Sequence, residues 1–319
     1  MKVGFIGLGN VGGKLSGSLL RNGVDLTVHD LNPELVQNLV DRGAKRGESP
    51  AQLMRDCDAV ITCLPSPKIS AAVMEGSDGL LEQIVPGKIW MEMSTTDEAE
   101  AKRLGGLVIA QGGAAVDCPV SGGCHRAATG NIAILAGCDR ATFDRILPLL
   151  TKMGRKILHT GELGSASTLK VMTNYLATAN LVTVSEALIT AKAAGMDLNT
   201  TYEAIRISSG NSFVHETESQ VILNGSRDIS FTMGLVRKDI GLFQDIADRA
   251  GVNLEISPAL IEIFDDGIAR FGPDELSPNI IKRLEQATGL SVLADGFPDE
   301  MTDDEPEAEG AEVKLKSVG

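Results

Sequence analysis

From Ser165 to Ala194 the chain contains neither glycine nor proline, and Gly164 and Gly195 stand at the two ends of that run. A run of this kind specifies one long helix. At about 1.5 Å per residue it spans roughly 45 Å, longer than most helices of globular proteins. Its apolar residues, among them Leu169, Val171, Met172, Leu176, Leu181, Val184 and Leu188, do not keep to one face. The helix is therefore expected to be buried on most sides. It is not a membrane span, because the uncharged run between Lys170 and Glu186 is too short. Lys170 lies near its start, with Asn174 one turn later on the same face. A lysine in the first turns of a buried helix is costly, since the positive end of the helix dipole adds to the loss of hydration. Two readings are open here. One is a lysine whose stem lies on apolar surface while its head reaches water. The other is a buried amine with a chemical task.

The 319 residues suggest two domains, and 43% hydrophobic with 23% charged residues describes a globular chain. The net charge of −14 argues against nucleic acid as a partner. Met1-Lys2 leads directly into the short apolar run Val3 to Ile6, so no secretory leader is expected. The five cysteines, at 57, 63, 118, 124 and 138, are odd in number, widely spaced and without Cys-x-x-Cys. Together with four scattered histidines they suggest reduced cytoplasmic thiols and no metal site.

Lys2 to Ile6 is expected as a buried parallel strand. Gly7-Leu8-Gly9-Asn10-Val11-Gly12 follows, then Gly13 and a helical pattern to Asn22. This G-x-G-x-x-G stands in its required setting, strand before and helix after. Gly7 permits the tight turn, Gly9 lets the backbone approach a pyrophosphate, and Gly12 lets helix and strand pack closely. The helix N-terminus faces the anion. A second strand, Asp25 to His29, ends in Asp30. A carboxylate there binds both ribose hydroxyls of NAD and repels a 2′-phosphate; the plainer alternative is a turn or helix-capping aspartate. Leu31-Asn32 follows, with no arginine to welcome that phosphate, so NAD is expected over NADP.

Asn32-Pro33 opens a helix over Glu34 to Arg42. Further strands are expected at Ala59 to Leu64, closed by Pro65-Ser66-Pro67, and at Lys88 to Met93, which ends at Ser94-Thr95-Thr96. Leu64, Pro65 and Thr95 are candidate cofactor contacts, because open parallel sheets bind ligands at the carboxyl ends of their strands. Leu107 to Val116, Ile132 to Ala136 and Lys156 to His159 continue a doubly wound α/β sheet, the Rossmann arrangement, to about residue 160. Beyond Gly195 the segments Thr200 to Ser208, Val214 to Leu223, Phe231 to Ala250, Ser257 to Phe271 and Pro278 to Thr288 are helical, with no strand expected to the end of the chain. The expected division is a dinucleotide-binding domain over 1–163, the long helix over 164–195, an all-helical domain over 196–294 and an acidic tail over 295–319. The tail carries basic Lys314 and Lys316, and is expected to be flexible or wrapped on a neighbouring subunit.

Asp117-Cys118-Pro119-Val120-Ser121-Gly122-Gly123 follows a strand and precedes a helical pattern at Arg126 to Thr129. Ser121, Gly122 and Gly123 offer bare backbone N–H groups, suited to a carboxylate or oxyanion. A plain glycine turn fits the same pattern.

Taken together, these segments resemble the β-hydroxyacid dehydrogenases, the family of 3-hydroxyisobutyrate dehydrogenase and tartronate semialdehyde reductase. The resemblance covers about residues 1 to 290. It rests on Gly7 to Gly12, Asp117 to Gly123, Gly164 to Asn174 and Lys238-Asp239, in that order. It implies a Rossmann domain joined through the long helix to a helical domain, assembled as a homodimer or homotetramer. It implies that Lys170 is the catalytic acid/base and that Asn174 holds lysine and substrate in register. Ser121, Gly122 and Gly123 would hold the substrate carboxylate, Lys238 would close over the nicotinamide, and Thr95 would touch the cofactor.

The chain departs from the family pattern in three places. Tyr175 replaces a frequent second asparagine, Ala166 replaces the last glycine of the catalytic segment, and Cys124-His125-Arg126 stands where small residues are common. His125 and Arg126, directly beyond the cradle, would extend recognition to a second acidic group or a sulfonate. Otherwise they are a surface histidine and an arginine paired with one of many acids. Ser212 and His215 are further candidates for substrate contact.

The expected activity is reversible hydride transfer between NAD and a small 3-hydroxy acid, interconverting the acid with its semialdehyde or 3-oxo acid. One alternative is a decarboxylating 6-phosphogluconate-type dehydrogenase, which needs a phosphate site drawn from Arg126, Arg206 or Arg237. The other is a non-catalytic NAD-binding module, against which Lys170 argues; an imine reductase is a weaker rival for the same reason. A small anionic hydroxy acid, and neither nucleic acid nor membrane, is the expected partner.

Overall fold

The computed structural model describes residues 1–315, and the chain divides into two compact units. The first comprises Met1–Lys170 and the segment from Asp303; the second is Val171–Thr302.

The first unit is built on a sheet whose strands are β1 (Lys2–Ile6), β2 (Asp25–His29), β3 (Lys45–Arg46), β4 (Ala59–Thr62), β5 (Ile89–Glu92), β6 (Ala114–Asp117), β7 (Val120–Ser121), β8 (Ala133–Gly137), β9 (Lys156–Gly161) and β10 (Ala311–Glu312). Their order is β10-β9-β8-β6-β5-β4-β1-β2-β3, with β7 beside β8. The β3-β2-β1-β4-β5-β6 portion is parallel throughout and reverses direction of winding between β1 and β4. That reversal is where an open α/β sheet leaves a crevice for ligand. At the far end β8 runs antiparallel to β6, while β9 and β10 run parallel to β8. The sheet is therefore mixed.

Helices α1 (Gly12–Arg21), α2 (Pro33–Asp41), α3 (Pro50–Asp56), α4 (Pro67–Glu75), α5 (Glu98–Ala110), α6 (Gly123–Thr129) and α7 (Arg140–Leu150) cover the sheet. Three of them start with one device. Asn32, Ser49 and Ser66 each accept a backbone N–H of the first turn, and proline follows at the first helical position. The missing proline N–H is one the first turn leaves unused. One apolar cluster gathers Val3, Phe5, Leu15, Leu19 and Val28; another gathers Ile6, Leu53, Val60, Trp90 and Leu104. Val3 and Phe5 alternate with Ile6 along β1, so both faces of this strand are covered.

Two expectations for this unit are corrected. The apolar run from Leu107 is helix as far as Ala110, and only Ala114–Asp117 is strand, because Gly112, at φ +82°, turns the chain between them. The acidic tail is not a loose end within the described residues. Ala311–Glu312 forms β10 on β9, so a strand does occur after residue 199. Lys316 lies outside the described residues.

The long helix, α8 (Ser165–Ala193), leaves the first unit and enters the second. The second unit continues with α9 (Leu198–Arg206), α10 (Phe213–Asn224), α11 (Met233–Arg249), α12 (Ile256–Phe271) and α13 (Lys282–Thr288). Its core joins Leu181, Leu188, Tyr202, Ile222, Val236 and Phe264. Burial of α8 is less complete than its sequence suggested. Leu169, Met172 and Leu176 are exposed at i, i+3 and i+7, Leu176 by 59%.

Candidate active site

The glycine loop between β1 and α1 shows three different demands. Gly7 has φ +93°, and a Cβ on it would lie 2.3 Å from the Cys63 carbonyl oxygen. A Cβ on Gly12 would lie 2.0 Å from the Gly7 carbonyl oxygen. Those two glycines are required by the fold itself. Gly9 is different: a Cβ there would meet nothing within 4 Å. Its bareness serves no packing contact of the protein and leaves exposed backbone open to a ligand. The N-terminus of α1 carries no side-chain cap and no acidic residue in its first turn. Asn10 is exposed beside Gly9, Val11 precedes the helix, and Leu8 is buried beneath the loop. The residues present fit a bound dinucleotide on these grounds.

Asp30, just beyond β2, accepts the Leu8 N–H at 2.7 Å through Oδ2 and the Asn32 N–H at 2.8 Å through Oδ1. It is a turn aspartate, and it is tied to the glycine loop at the same time. Each oxygen keeps a second lone pair for a ribose hydroxyl. Leu31 beside it is 96% exposed.

The ends of β4 and β5 are tied by a group that sequence reasoning missed. Glu92 is 1% exposed and accepts both the N–H and the hydroxyl of Ser94, while the Ser94 hydroxyl accepts the Leu64 N–H at 2.7 Å. Burial pushes the Glu92 carboxyl up, against the bonds from Ser94. Leu64 is thereby fixed next to exposed Pro65, and half-buried Thr95 follows Ser94 directly. A glutamate at the last position of an otherwise apolar strand was the available signal.

Gly122 and Gly123 have φ of +131° and +85°, a conformation L side chains rarely adopt. They open α6, which has no side-chain cap. A Cβ on Gly122 would lie 3.3 Å from Cδ of Arg126 and 3.6 Å from Cγ1 of Ile132. The Arg126 stem thus lies over the Ser121-Gly122-Gly123 cradle. His125 is half-buried, and burial together with the Arg126 charge holds it below its ordinary range.

Asp117, the last residue of β6, links that strand to α8. Its Oδ1 accepts the Gly164 N–H and its Oδ2 the Ser167 N–H, both at 2.7 Å. Burial pushes this carboxyl up, and the two N–H groups oppose that shift. The Ser165 and Thr160 hydroxyls bond at 2.7 Å. Ala166 is buried within regular helix. Lys170, one turn beyond Asp117's contacts, is 8% exposed.

In the second unit Asn174 donates its side-chain amide to Asp239 at 2.6 Å, and Lys238 pairs with the same carboxylate at 2.9 Å. Asp239 thus joins the candidates Asn174 and Lys238. Tyr175 stacks on Phe243, with ring centroids 4.3 Å apart. Ser212 and His215 have other duties than those suggested by the sequence. Ser212 caps α10 through the His215 N–H. His215 is buried, with Nε2 2.9 Å from the Tyr202 carbonyl and Nδ1 3.1 Å from the Ser219 hydroxyl. Arg206 pairs with Glu203 and Arg237 with Asp265, so two of the three arginines of the phosphate-binding alternative are engaged by acids.

Among the described residues no group of three or more His, Cys, Asp or Glu side chains could hold a metal ion, and no helix is long and apolar enough to cross a membrane.

Residues 2–161 match the family model of the NAD binding domain of 6-phosphogluconate dehydrogenase, and residues 164–284 match that of NAD-binding of NADP-dependent 3-hydroxyisobutyrate dehydrogenase. The 2-(hydroxymethyl)glutarate dehydrogenase of Eubacterium barkeri is 32% identical over 294 residues, 92% of this chain and 97% of the relative. The 3-sulfolactaldehyde reductase of Escherichia coli is 30% identical over 294 residues, 91% of this chain and 98% of the relative. Among solved structures, 3-hydroxyisobutyrate dehydrogenase of Mycobacterium tuberculosis with L-serine superposes with a TM-score of 0.80 at 25% identity, over 89% of this chain and 98% of that one. Part of this chain therefore has no counterpart there.

Proposed function

Because the chain belongs to the β-hydroxyacid dehydrogenase family, NAD-dependent oxidoreductases acting on CH–OH groups, we propose that it interconverts a small anionic 3-hydroxy acid and the matching semialdehyde or 3-oxo acid, with Lys170 as acid/base. The observation that carries this reading is the burial of Lys170 on a helix whose first turn is pinned by Asp117, four residues before Ser121. An amine held there by a rigid strand–helix junction has a fixed position relative to the cradle, and position is the larger part of such catalysis.

When bound, the nicotinamide supplies the hydride chemistry. The chain's residues do the rest. The glycine loop and the open N-terminus of α1 hold the pyrophosphate, and Asp30 holds the ribose. The N–H groups of Ser121, Gly122 and Gly123 hold the substrate carboxylate. In the oxidative direction Lys170 takes the hydroxyl proton as the C–H bond breaks; in reverse it returns that proton to the carbonyl oxygen. Asn174 orients the lysine and is itself held by Asp239. Arg126 reads a second anionic group. In support, the substrate named for one relative is a dicarboxylic acid.

The exposed Leu169, Met172 and Leu176 stripe favours a homodimer or homotetramer, and five free cysteines favour a reducing, cytoplasmic setting. The test is a screen of short 3-hydroxy mono- and dicarboxylic acids and their semialdehydes with NAD and NADP in turn, following the reduced nicotinamide band. Turnover confined to this class, with NAD preferred, supports the reading. Turnover only with 6-phosphogluconate-like sugar acids would refute it.

A further inference from the structure

The described part of the acidic tail is seated on the first unit by specific contacts. The second family match ends at residue 284, well before it. Gly310 packs flush on the turn before β9: its N–H donates to the Thr151 carbonyl at 3.0 Å, and a Cβ on it would lie 1.9 Å from the Gly154 carbonyl oxygen. Ala311 and Val313 then donate to Arg155 and Ile157 carbonyls, so β10 covers an edge that β9 would otherwise expose. Arg140 pairs with Glu312 at 2.6 Å.

The acids ahead of Gly310 reach two helix ends. Glu307 accepts from Arg21 at 3.1 Å, Asn22 at 3.0 Å and the Ser18 hydroxyl at 3.2 Å, all at the C-terminal end of α1. The same Arg21 donates to the Ala128 carbonyl at 2.7 Å, near the end of α6. Asp303 accepts from the Thr129 hydroxyl and from Asn131 at 2.8 Å, and Asn131 also donates to the Glu305 carbonyl at 2.6 Å. A Cβ on Gly130 would lie 2.7 Å from Glu307 Oε1. Carboxylates at helix C-termini are disfavoured by the helix dipole. These are held there by Arg21, Thr129 and the two asparagines. Although burial pushes the Asp303 carboxyl up, its hydrogen bonds and the Arg126 charge bring it below the usual range.

The N-termini of the same two helices are the segments proposed above to take the pyrophosphate and the substrate carboxylate: Gly9–Gly12 opens α1, and Gly122–Gly123 opens α6. Helix α6 has only seven residues, too few to hold its shape unaided. We propose that Asp303–Val313 is a clamp that ties the far ends of α1 and α6 together and thereby fixes the substrate-carboxylate cradle against the cofactor loop, setting affinity for the anionic substrate. This rests on the assignment of Ser121-Gly122-Gly123 as that cradle.

Two variants release the clamp by different means: a chain ending at Thr302, and Gly310→Leu, whose side chain cannot share space with the Gly154 carbonyl. Should the shortened chain fail to fold, the single change carries the test. Hydrogen exchange of the α6 amides should quicken at least about tenfold, KM for a 3-hydroxy acid should rise about tenfold, and kcat should stay within about twofold, because only binding geometry is loosened. Unchanged exchange in both variants overturns the clamp, and faster exchange with unchanged KM overturns its role in affinity. Gly122→Ala in the otherwise intact chain, which puts a methyl group on the cradle backbone at a φ of +131°, separates the two ideas. If it raises KM while clamp release does not, the clamp role alone fails; if it leaves KM untouched, the cradle assignment fails.

Discussion

Asp239 accepts the side-chain amide of Asn174 at 2.6 Å while also pairing with Lys238 at 2.9 Å. One buried carboxylate thus holds both the Asn174 amide and the Lys238 amine, two residues proposed to serve the reaction. Asp239→Ala should lower kcat/KM about ten- to a hundredfold, since removing a buried charged acceptor strands both donors. In a double-mutant cycle with Asn174→Ala the two losses should fail to add, by about 0.5–3 kcal/mol. Simple additivity would show that the bond carries no catalytic weight.

Lys170→Ala should bind NADH as tightly as the parent while turnover falls at least about a hundredfold, the lower end of general acid–base effects. Fluorescence titration and steady-state kinetics on one preparation separate the two. Turnover within a few-fold of the parent would remove Lys170 from the mechanism.

Asp30→Ala should narrow the preference for NAD over NADP. A hydrogen bond from a ribose hydroxyl to a carboxylate contributes roughly 1.5–3 kcal/mol, about ten- to a hundredfold in binding. Because Asp30 also holds the Leu8 and Asn32 N–H groups, affinity for both cofactors should fall, that for NAD further. A parent enzyme using NADP at least as well as NAD would contradict the assignment.

Arg126→Ala should raise KM for a dicarboxylic 3-hydroxy acid by roughly ten- to a thousandfold and leave a monocarboxylic one nearly untouched. The Arg126 stem over Gly122 puts the arginine beside the cradle. Equal effects on the two substrates would mean that it supports the cradle rather than selecting the acid.

The contribution of the buried histidines to stability should fall as pH drops below about 6.5, the range in which unfolded histidine gains its proton, while the pushed-up carboxyls of Glu92, Asp117 and Glu218 act in the opposite direction. Burial lowers both His125 and His215 from the ordinary 6.5; around them lie Arg126 and Asp303 in one case, and Tyr202, Glu216 and Glu203 in the other. A depressed histidine binds fewer protons folded than unfolded, so its contribution is complete above the unfolded value and is lost toward the folded one. Urea unfolding at pH about 7.5 and 5.5 should show the parent losing more stability, or gaining less, than His215→Gln between the two values. An unchanged slope would mean His215 does not couple folding to pH.

Much of the chain was legible because its signals are local. Glycines mark the ends of α8, Asn32-Pro33 and Ser66-Pro67 start helices through their own side chains and backbone, and the glycine loop needs only a strand before it and a helix after it. Local chemistry of this kind survives in one dimension. The strand misplaced at Leu107 failed for the converse reason: a short apolar run fits a helix end and a strand alike until the turn at Gly112 is seen.

What the sequence by itself determined is the succession of elements, the dinucleotide loop, the lysine-bearing helix and the family. What only the tertiary structure decided are relations between distant residues. No spacing rule foretells that Asp117 caps α8 at Gly164 and Ser167, that Glu92 fixes Leu64 through Ser94, or that His215 turns into its own core. Nor does acidic composition foretell that Glu307 meets Arg21 at a separation of 286 residues. A carboxylate is soluble anywhere on a surface, and it takes up one place only when donors brought together by the fold outcompete water there.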